Sequence, residues 1–156
     1  MTEPFQVTVL TSEDALTLRE MLILFGKAFG EVETYTAKQP VDAYLQHLLA
    51  SDTFVAVAAR ASGRLIGGIA GYVLPKFEQT RSELYIYDLA VEATFRRHGV
   101  ATAMIERLKE CAVARGIYAI FVQADLGDHA AIALYTKLGQ REDVLHFDIL
   151  PDKKVA

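Results

Sequence analysis

The stretch from Leu84 to Arg115, "LYIYDLAVEATFRRHGVATAMIERLKECAVAR", restricts the fold more than any other part of the chain. An apolar run with strand character ends at Val91. A short connection follows, and an amphipathic helix begins just after Gly99. Apolar residues recur at Ala101, Met104, Ile105, Leu108, Cys111 and Ala112, with charges at Glu106, Arg107, Lys109 and Glu110 between them. Gly116 supplies a stop signal, and "YAIFVQAD" then reads as a buried strand, so the spacing predicts a strand–helix–strand crossover. The entry to the helix carries Arg96, Arg97, His98 and Gly99. A helix start already has unpaired N–H groups and the positive end of the macrodipole, so basic residues there repel unless an anion arrives. Gly99 lets the backbone approach a bulky ligand, small Ala101 keeps the next turn open, and the expected ligand is a phosphate or pyrophosphate. The stretch lacks the Lys-Ser/Thr ending of a P-loop and the glycine spacing of a dinucleotide site, which lowers nucleotide hydrolysis and hydride transfer in rank.

The remaining pattern is mixed. "FQVTVL" alternates as a strand, and "SEDALTLREMLILFGKAFG" reads as a helix with Thr11 or Ser12 as caps and acids in its first turn. "GEVETYTAKQP" is loop-like and carries Glu31, Glu33 and Tyr35, which makes it a candidate substrate wall. Pro40 opens a short helix to about Leu49. "TFVAVAAR" and "RLIGGIAGYVLP" flank "ASG" as a hairpin and make a meander with "ELYIYDLAV". "DHAAIALYTKLG" reads as a helix capped by Asp128 and ended by Gly139. "VLHFDIL" reads as a last strand with Leu145, Phe147 and Ile149 on one face and His146 and Asp148 on the other. With 156 residues and no linker, repeat or low-complexity tract, residues 1–156 are expected to form a single domain.

A formal charge of −4 argues against a nucleic-acid backbone as main partner and suits a cationic substrate. The single cysteine, Cys111, fits a reducing compartment, and neither a signal peptide nor a membrane-crossing run is visible, so a cytoplasmic protein without a membrane partner is expected. No metal-ligand spacing occurs, and His129 and His146 are isolated.

"RRHGVA", preceded by "LAV", resembles the Arg/Gln-x-x-Gly-x-Gly/Ala signature of the GCN5-related N-acetyltransferase (GNAT) superfamily. "DHAAIALYTKLG" resembles that family's Asn-x-x-Ala-x-x-Leu-Tyr-x-x-x-Gly helix, with Ala131, Leu134, Tyr135 and Gly139 in register and Asp128 in place of the common asparagine. Ala93 stands where many members have proline. "YVLPKFEQTRSELYIYDLAV", "VQADLGDHAAIALYTKLG" and "HFDI" further resemble the type I aminoglycoside 3-N-acetyltransferases, from about Leu24 to Ile149. The resemblance implies an α/β (α+β) domain of GNAT fold, with a mixed, mostly antiparallel sheet splayed between "LYIYDLAV" and "YAIFVQAD" at the acetyl-CoA site. It also implies acetyl transfer from acetyl-CoA to the 3-amino group of the 2-deoxystreptamine ring of an aminoglycoside such as gentamicin, and a homodimer.

Amine acylation needs removal of a proton and stabilisation of an oxyanion and a departing thiolate, hence a carboxylate and a proton donor. Asp88, at the strand end, is the favoured base or amine-orienting carboxylate, and a strand-edge ion pair is its plain alternative. Glu83 is the rival; strict alternation puts it on the opposite face from Asp88, and a bulge would change that parity. Tyr135 matches the family tyrosine that protonates the CoA sulfur, against the alternative of a core tyrosine. Arg96, Arg97, His98, Gly99, Val100 and Ala101 would hold the pyrophosphate, Leu89, Ala90 and Val91 the pantetheine arm, and Asp128 and Ala131 further CoA contacts. Glu31, Glu33, Tyr35 and Asp125, with Asp88, are candidates for the polycationic acceptor, although each acid also reads as a cap or a solvated charge. Cys111 lies on the apolar face roughly 15 Å along its helix from the phosphate end, so direct transfer is expected rather than an acyl-cysteine. Two other functions remain open: an acetyltransferase of another polyamine or a protein amine, and a noncatalytic acyl-CoA-binding module.

Overall fold

The computed structural model describes residues 3–152. In chain order the elements are β1 (Gln6–Val9), α1 (Ala15–Phe29), α2 (Val32–Thr36), α3 (Asp42–Ala50), β2 (Phe54–Ala61), β3 (Arg64–Pro75), β4 (Ser82–Val91), a 3₁₀ turn (Ala93–Phe95), α4 (Val100–Ala114), β5 (Ile117–Val122) and α5 (His129–Leu138). Contacts group the chain into two compact units, residues 1–123 and 124–156.

The first unit holds a five-stranded sheet in the order β1-β2-β3-β4-β5, antiparallel as far as β4, with β5 added parallel through α4. A parallel neighbour needs a crossover long enough to return the chain to the same end, and α4 supplies it. One sheet face packs on α1 and α3: Met21 and Phe25 meet Phe54, Ala56, Ala58, Ala70 and Ala90 there. The other face packs on α4, where Met104 and Leu108 are fully buried, as are Ile66, Ile69 and Leu84 of the sheet. Gly68 belongs to the first face and Gly67 to the second: a Cβ on Gly68 would lie 2.9 Å from Met21 Cε, and one on Gly67 would lie 3.1 Å from Met104 Cε. The "GG" pair therefore admits a thioether on each side of one strand.

Several expectations change. The acids Glu13 and Asp14 precede α1 instead of occupying its first turn, and neither Thr11 nor Ser12 caps it. Asp14 turns back to accept the Thr11 backbone N–H at 2.8 Å. The loop-like "GEVETYTAKQP" contains the short helix α2, packed closely on α1, and α3 starts at Asp42, two residues beyond Pro40. The strand read as "YAIFVQAD" ends at Val122 and is only partly buried. In the second unit, α5 starts as expected, with Asp128 accepting the Ala131 N–H at 3.1 Å, and Gly139 closes it in an extended conformation.

The predicted last strand is not formed. Residues 140–150 have no regular secondary structure, and Leu145, Phe147 and Ile149 are 83%, 76% and 89% exposed. Alternation selects a face, but a strand also requires a ladder partner, and among the described residues this segment has none.

Candidate active site

β4 is the strand on which the site is built. Its register with β3 is regular from Pro75↔Ser82 to Gly71↔Ile86 and resumes at Ala70↔Asp88, so Tyr87 has no partner and forms a one-residue bulge. The bulge reverses the parity of everything beyond it. Glu83 pairs with Leu74, Tyr85 with Tyr72, and Asp88 with Ala70, and all three β3 partners alternate onto the face covered by α1 and α3. Asp88 and Glu83 therefore share a face, contrary to strict alternation. Without the bulge Asp88 would point toward α4.

The bulge coincides with the splay. The parallel ladder between β4 and β5 runs from Ser82↔Ile117 to Ile86↔Val122 and stops there, while β4 continues to Val91 beside β3 alone. Beyond Ile86 the β4 edge, including Leu89, Ala90 and Val91, has no β5 partner. One rung before the ladder ends, Tyr85 stacks on Phe121 with ring centroids 4.6 Å apart and donates its hydroxyl to Gln123 Oε1 at 2.9 Å.

Asp88 is half-buried at the edge of a cleft of about 190 Å³ whose other walls include Leu22, Phe25, Tyr44, Leu48, Phe54 and Tyr72. Tyr35 donates to Asp88 Oδ1 at 2.9 Å. Burial raises the Asp88 pKa above the usual carboxylate value, the Tyr35 hydrogen bond opposes that rise, and the charge of nearby Glu31 adds to it. Glu83 has different company: Lys76 Nζ at 3.5 Å and the Tyr118 hydroxyl, which donates to it. That hydrogen bond is the largest influence and lowers the Glu83 pKa; burial, next in size, opposes it, and Lys76 and Arg81 add to the lowering, so the pKa lies below the ordinary value. The two carboxylates are five residues apart on an extended strand, on the order of 15 Å. Glu83 is a strand-end ion pair away from the cleft.

The loop from Arg96 to Gly99 brings the basic cluster to the start of α4. Gly99 has φ of 79° and Arg97, unusually for a non-glycine residue, has φ of 65°. No side chain caps the helix, and nothing lies within 4 Å of a Cβ built on Gly99. Arg96, Arg97 and His98 are all exposed, and Arg96 donates from Nε to the Val91 carbonyl at 3.3 Å. Phe95 is buried beneath, with Arg64 stacked over its ring at 5.4 Å. An uncapped helix start, an open glycine and exposed basic side chains fit a phosphate group of the kind the sequence called for.

Of the acceptor candidates, Glu31 and Tyr35 gather around Asp88, whereas Glu33 faces solvent on α2. Asp125, Asp128, Ala131 and Tyr135 belong to the second unit. There, burial and the Asp128 charge push the Tyr135 phenol up to about 12, which keeps it a proton donor at every working pH. Cys111 is partly buried in the later half of α4. The sequence reading missed the aromatic rings of the cleft. Phe54, Tyr72, Tyr87, Tyr85 and Phe121 form a continuous series of ring contacts across β2 to β5, with successive centroids 5.4, 5.9, 5.5 and 4.6 Å apart. Pairing "YVLP" against "ELYIY" in hairpin register would have exposed part of it.

No helix among the described residues is long and apolar enough to cross a membrane. Residues 18–140 match the model of the acetyltransferase (GNAT) family. The chain is 52% identical to an aminoglycoside acetyltransferase from an uncultured soil metagenomic sample, over 96% of this chain and 99% of that one, and the structures agree with a TM-score of 0.93. A second soil metagenomic aminoglycoside acetyltransferase, solved with sisomicin, is 27% identical over 95% and 97% of the two chains, with a TM-score of 0.85. An L-2,4-diaminobutyric acid acetyltransferase of Nocardia farcinica is 28% identical over 85 residues, which is 54% of this chain and 42% of that protein. With residues 18–140 matching that family model, the chain belongs to the GNAT family of acetyl-CoA-dependent N-acetyltransferases.

Proposed function

We propose that the protein is an aminoglycoside 3-N-acetyltransferase that acylates the 3-amino group of the 2-deoxystreptamine ring, and that residues 1–156 act as one homodimeric, cytoplasmic enzyme domain. The observation that carries the acceptor class is the 52% identity over nearly the whole chain to an aminoglycoside acetyltransferase. The cleft supports it: a carboxylate pair, Asp88 and Glu31, beside aromatic walls suits an amine carried on a sugar ring.

In this reading Asp88 receives the proton of the acceptor amine, and its raised pKa makes it a stronger base than an ordinary aspartate. Glu31 adds a second negative charge that attracts the cationic ring. Arg96, Arg97, His98, Gly99, Val100 and Ala101 hold the pyrophosphate, and the free β4 edge at Leu89, Ala90 and Val91 takes the pantetheine arm. Tyr135 is assigned the return of a proton to the thiolate, and Asp128 with Ala131 a share in cofactor binding; Asp125 is assigned to the acceptor. Bound acetyl-CoA supplies an activated acyl group on a thiolate that leaves readily. Glu83 is given no chemical role.

The test is thiol release from acetyl-CoA with gentamicin, with spermidine, 2,4-diaminobutyrate and a lysine-rich peptide in parallel, followed by locating the acetyl group on the product by NMR. Acetyl at the 3-amino group supports the assignment. Acetyl at another amine of the drug overturns the position, and release only with one of the other acceptors overturns the substrate class. A second reading, an acetyltransferase of a small diamine, is favoured by the partial match to the diaminobutyric acid enzyme. Binding of CoA without turnover on any acceptor would leave the noncatalytic module.

A further inference from the structure

Tyr35 is not part of the sheet, yet its hydroxyl reaches a sheet carboxylate fifty-three residues away. Its ring is held from both sides of a helical elbow. Phe25 and Phe29 of α1 lie 6.2 and 5.9 Å from it by centroid, and the elbow closes through Gly30, with φ of 68°, and a 2.8 Å hydrogen bond from the Glu31 N–H to the Gly26 carbonyl. Gly26 is what permits the approach. A Cβ there would stand 3.0 Å from the Val32 Cα and 3.3 Å from the Tyr35 Cβ, tight enough that α2 would have to shift to admit it. The elbow thus fixes the phenol where it meets Asp88.

No ion pair involves Asp88 among the described residues. The groups that face it are Tyr35 of α2, Glu31 at the start of α2, Tyr72 of β3 and Tyr85 of its own strand. None is a cation, so the Tyr35 hydroxyl alone favours the charged form. We propose that Tyr35 is a positioning residue for the reaction: seated by the α1–α2 elbow, it fixes one oxygen of Asp88 and leaves the other for the acceptor amine. Burial and the Asp88 charge keep the phenol protonated far above its ordinary pKa, so the donor is permanent. Tyr35 then sets when Asp88 ionises and where it points, a role beyond lining the acceptor site. The catalytic half of this inference rests on Asp88 being the base.

The experiment follows the Asp88 carboxyl by carbon-13 NMR titration in the wild type, Tyr35→Phe and Gly26→Ala, and records the pH profile of thiol release with gentamicin for each. A lost hydrogen bond to a charged group corresponds to about one pH unit, so Tyr35→Phe should raise the Asp88 midpoint by about that much. Gly26→Ala, which keeps the phenol but displaces it, should raise the midpoint in the same direction by less. CoA affinity, read separately, should stay unchanged in both and confirms that each variant is folded. A movement of the acid limb of kcat/KM alongside the midpoint supports the full inference. A raised midpoint with an unmoved limb supports the hold of Tyr35 on Asp88 and removes Asp88 as the base. An unmoved midpoint in a folded Tyr35→Phe, or in Gly26→Ala should only that variant fold, overturns the proposal.

Discussion

Asp88 and Glu83 sit on one strand and one face, and the face alone does not tell them apart. Their neighbours do. Glu83 has a lysine at 3.5 Å, an arginine nearby and a donating phenol, so its charge is satisfied and its pKa falls. Asp88 has a phenol and a second carboxylate but no cation, so burial prevails and its pKa rises. A carboxylate already balanced by cations has little reason to take a proton from a substrate. One that is half-buried at the edge of a cleft and uncompensated is poised to do so.

The largest expected effect breaks the comparison directly. Asp88→Asn keeps the shape and an oxygen for Tyr35 but removes the base, and should lower kcat by about 10²- to 10⁴-fold in the thiol-release assay, the usual range for a lost general base. Glu83→Gln should leave kcat within about twofold, as for a surface change away from the chemistry. Equal losses in the two variants would dissolve the distinction.

A smaller but sharper test concerns the bulge. Deleting Tyr87 should restore a continuous register with β3 and leave the aspartate opposite Ala70, on the side of Glu83, because its β3 partner does not change. Thiol release should therefore persist in the deletion variant, at a rate well above that of Asp88→Asn. A rate as low as that of Asp88→Asn would mean that the strand had slipped and turned the carboxylate toward α4, which the amide exchange pattern along β4 would reveal.

How much of this was legible in the sequence follows from which interactions are local. The strand, loop and helix around Gly99 were readable because a helix start, a glycine and an apolar repeat are local signals. The register of the second signature brought out Asp128 and Tyr135 in the same way. The parity of Asp88 was not readable, because the bulge at Tyr87 exists only relative to β3. Nor was the Tyr35–Asp88 bond, since it depends on Gly26 admitting α2. The segment from Val144 to Leu150 misled for the complementary reason: its alternation is real, but pairing is a property of two strands.

The smallest effect is also the one in which the two carboxylates should differ in sign. The folded pKa of Asp88 is raised, so as pH climbs past the unfolded value the unfolded chain releases its proton first, and stability drains away until the folded group has ionised too. Glu83 has a lowered folded pKa, so the folded state ionises first and stability is gained over the corresponding window below the ordinary carboxylate value. Neither Asn nor Gln titrates. Asp88→Asn should therefore melt slightly above the wild type at neutral pH, and the gain should vanish as pH falls through the carboxylate range. Glu83→Gln should melt slightly below the wild type at neutral pH, and its deficit should close on acidification as Glu83 itself becomes protonated. Thermal melts of the three proteins from pH 3 to pH 8 would give two difference curves of opposite sign meeting at the acid end. Two curves of the same sign would mean that Asp88, like Glu83, is held by a favourable charge in the folded state, and the reason for setting it apart as the base would be lost.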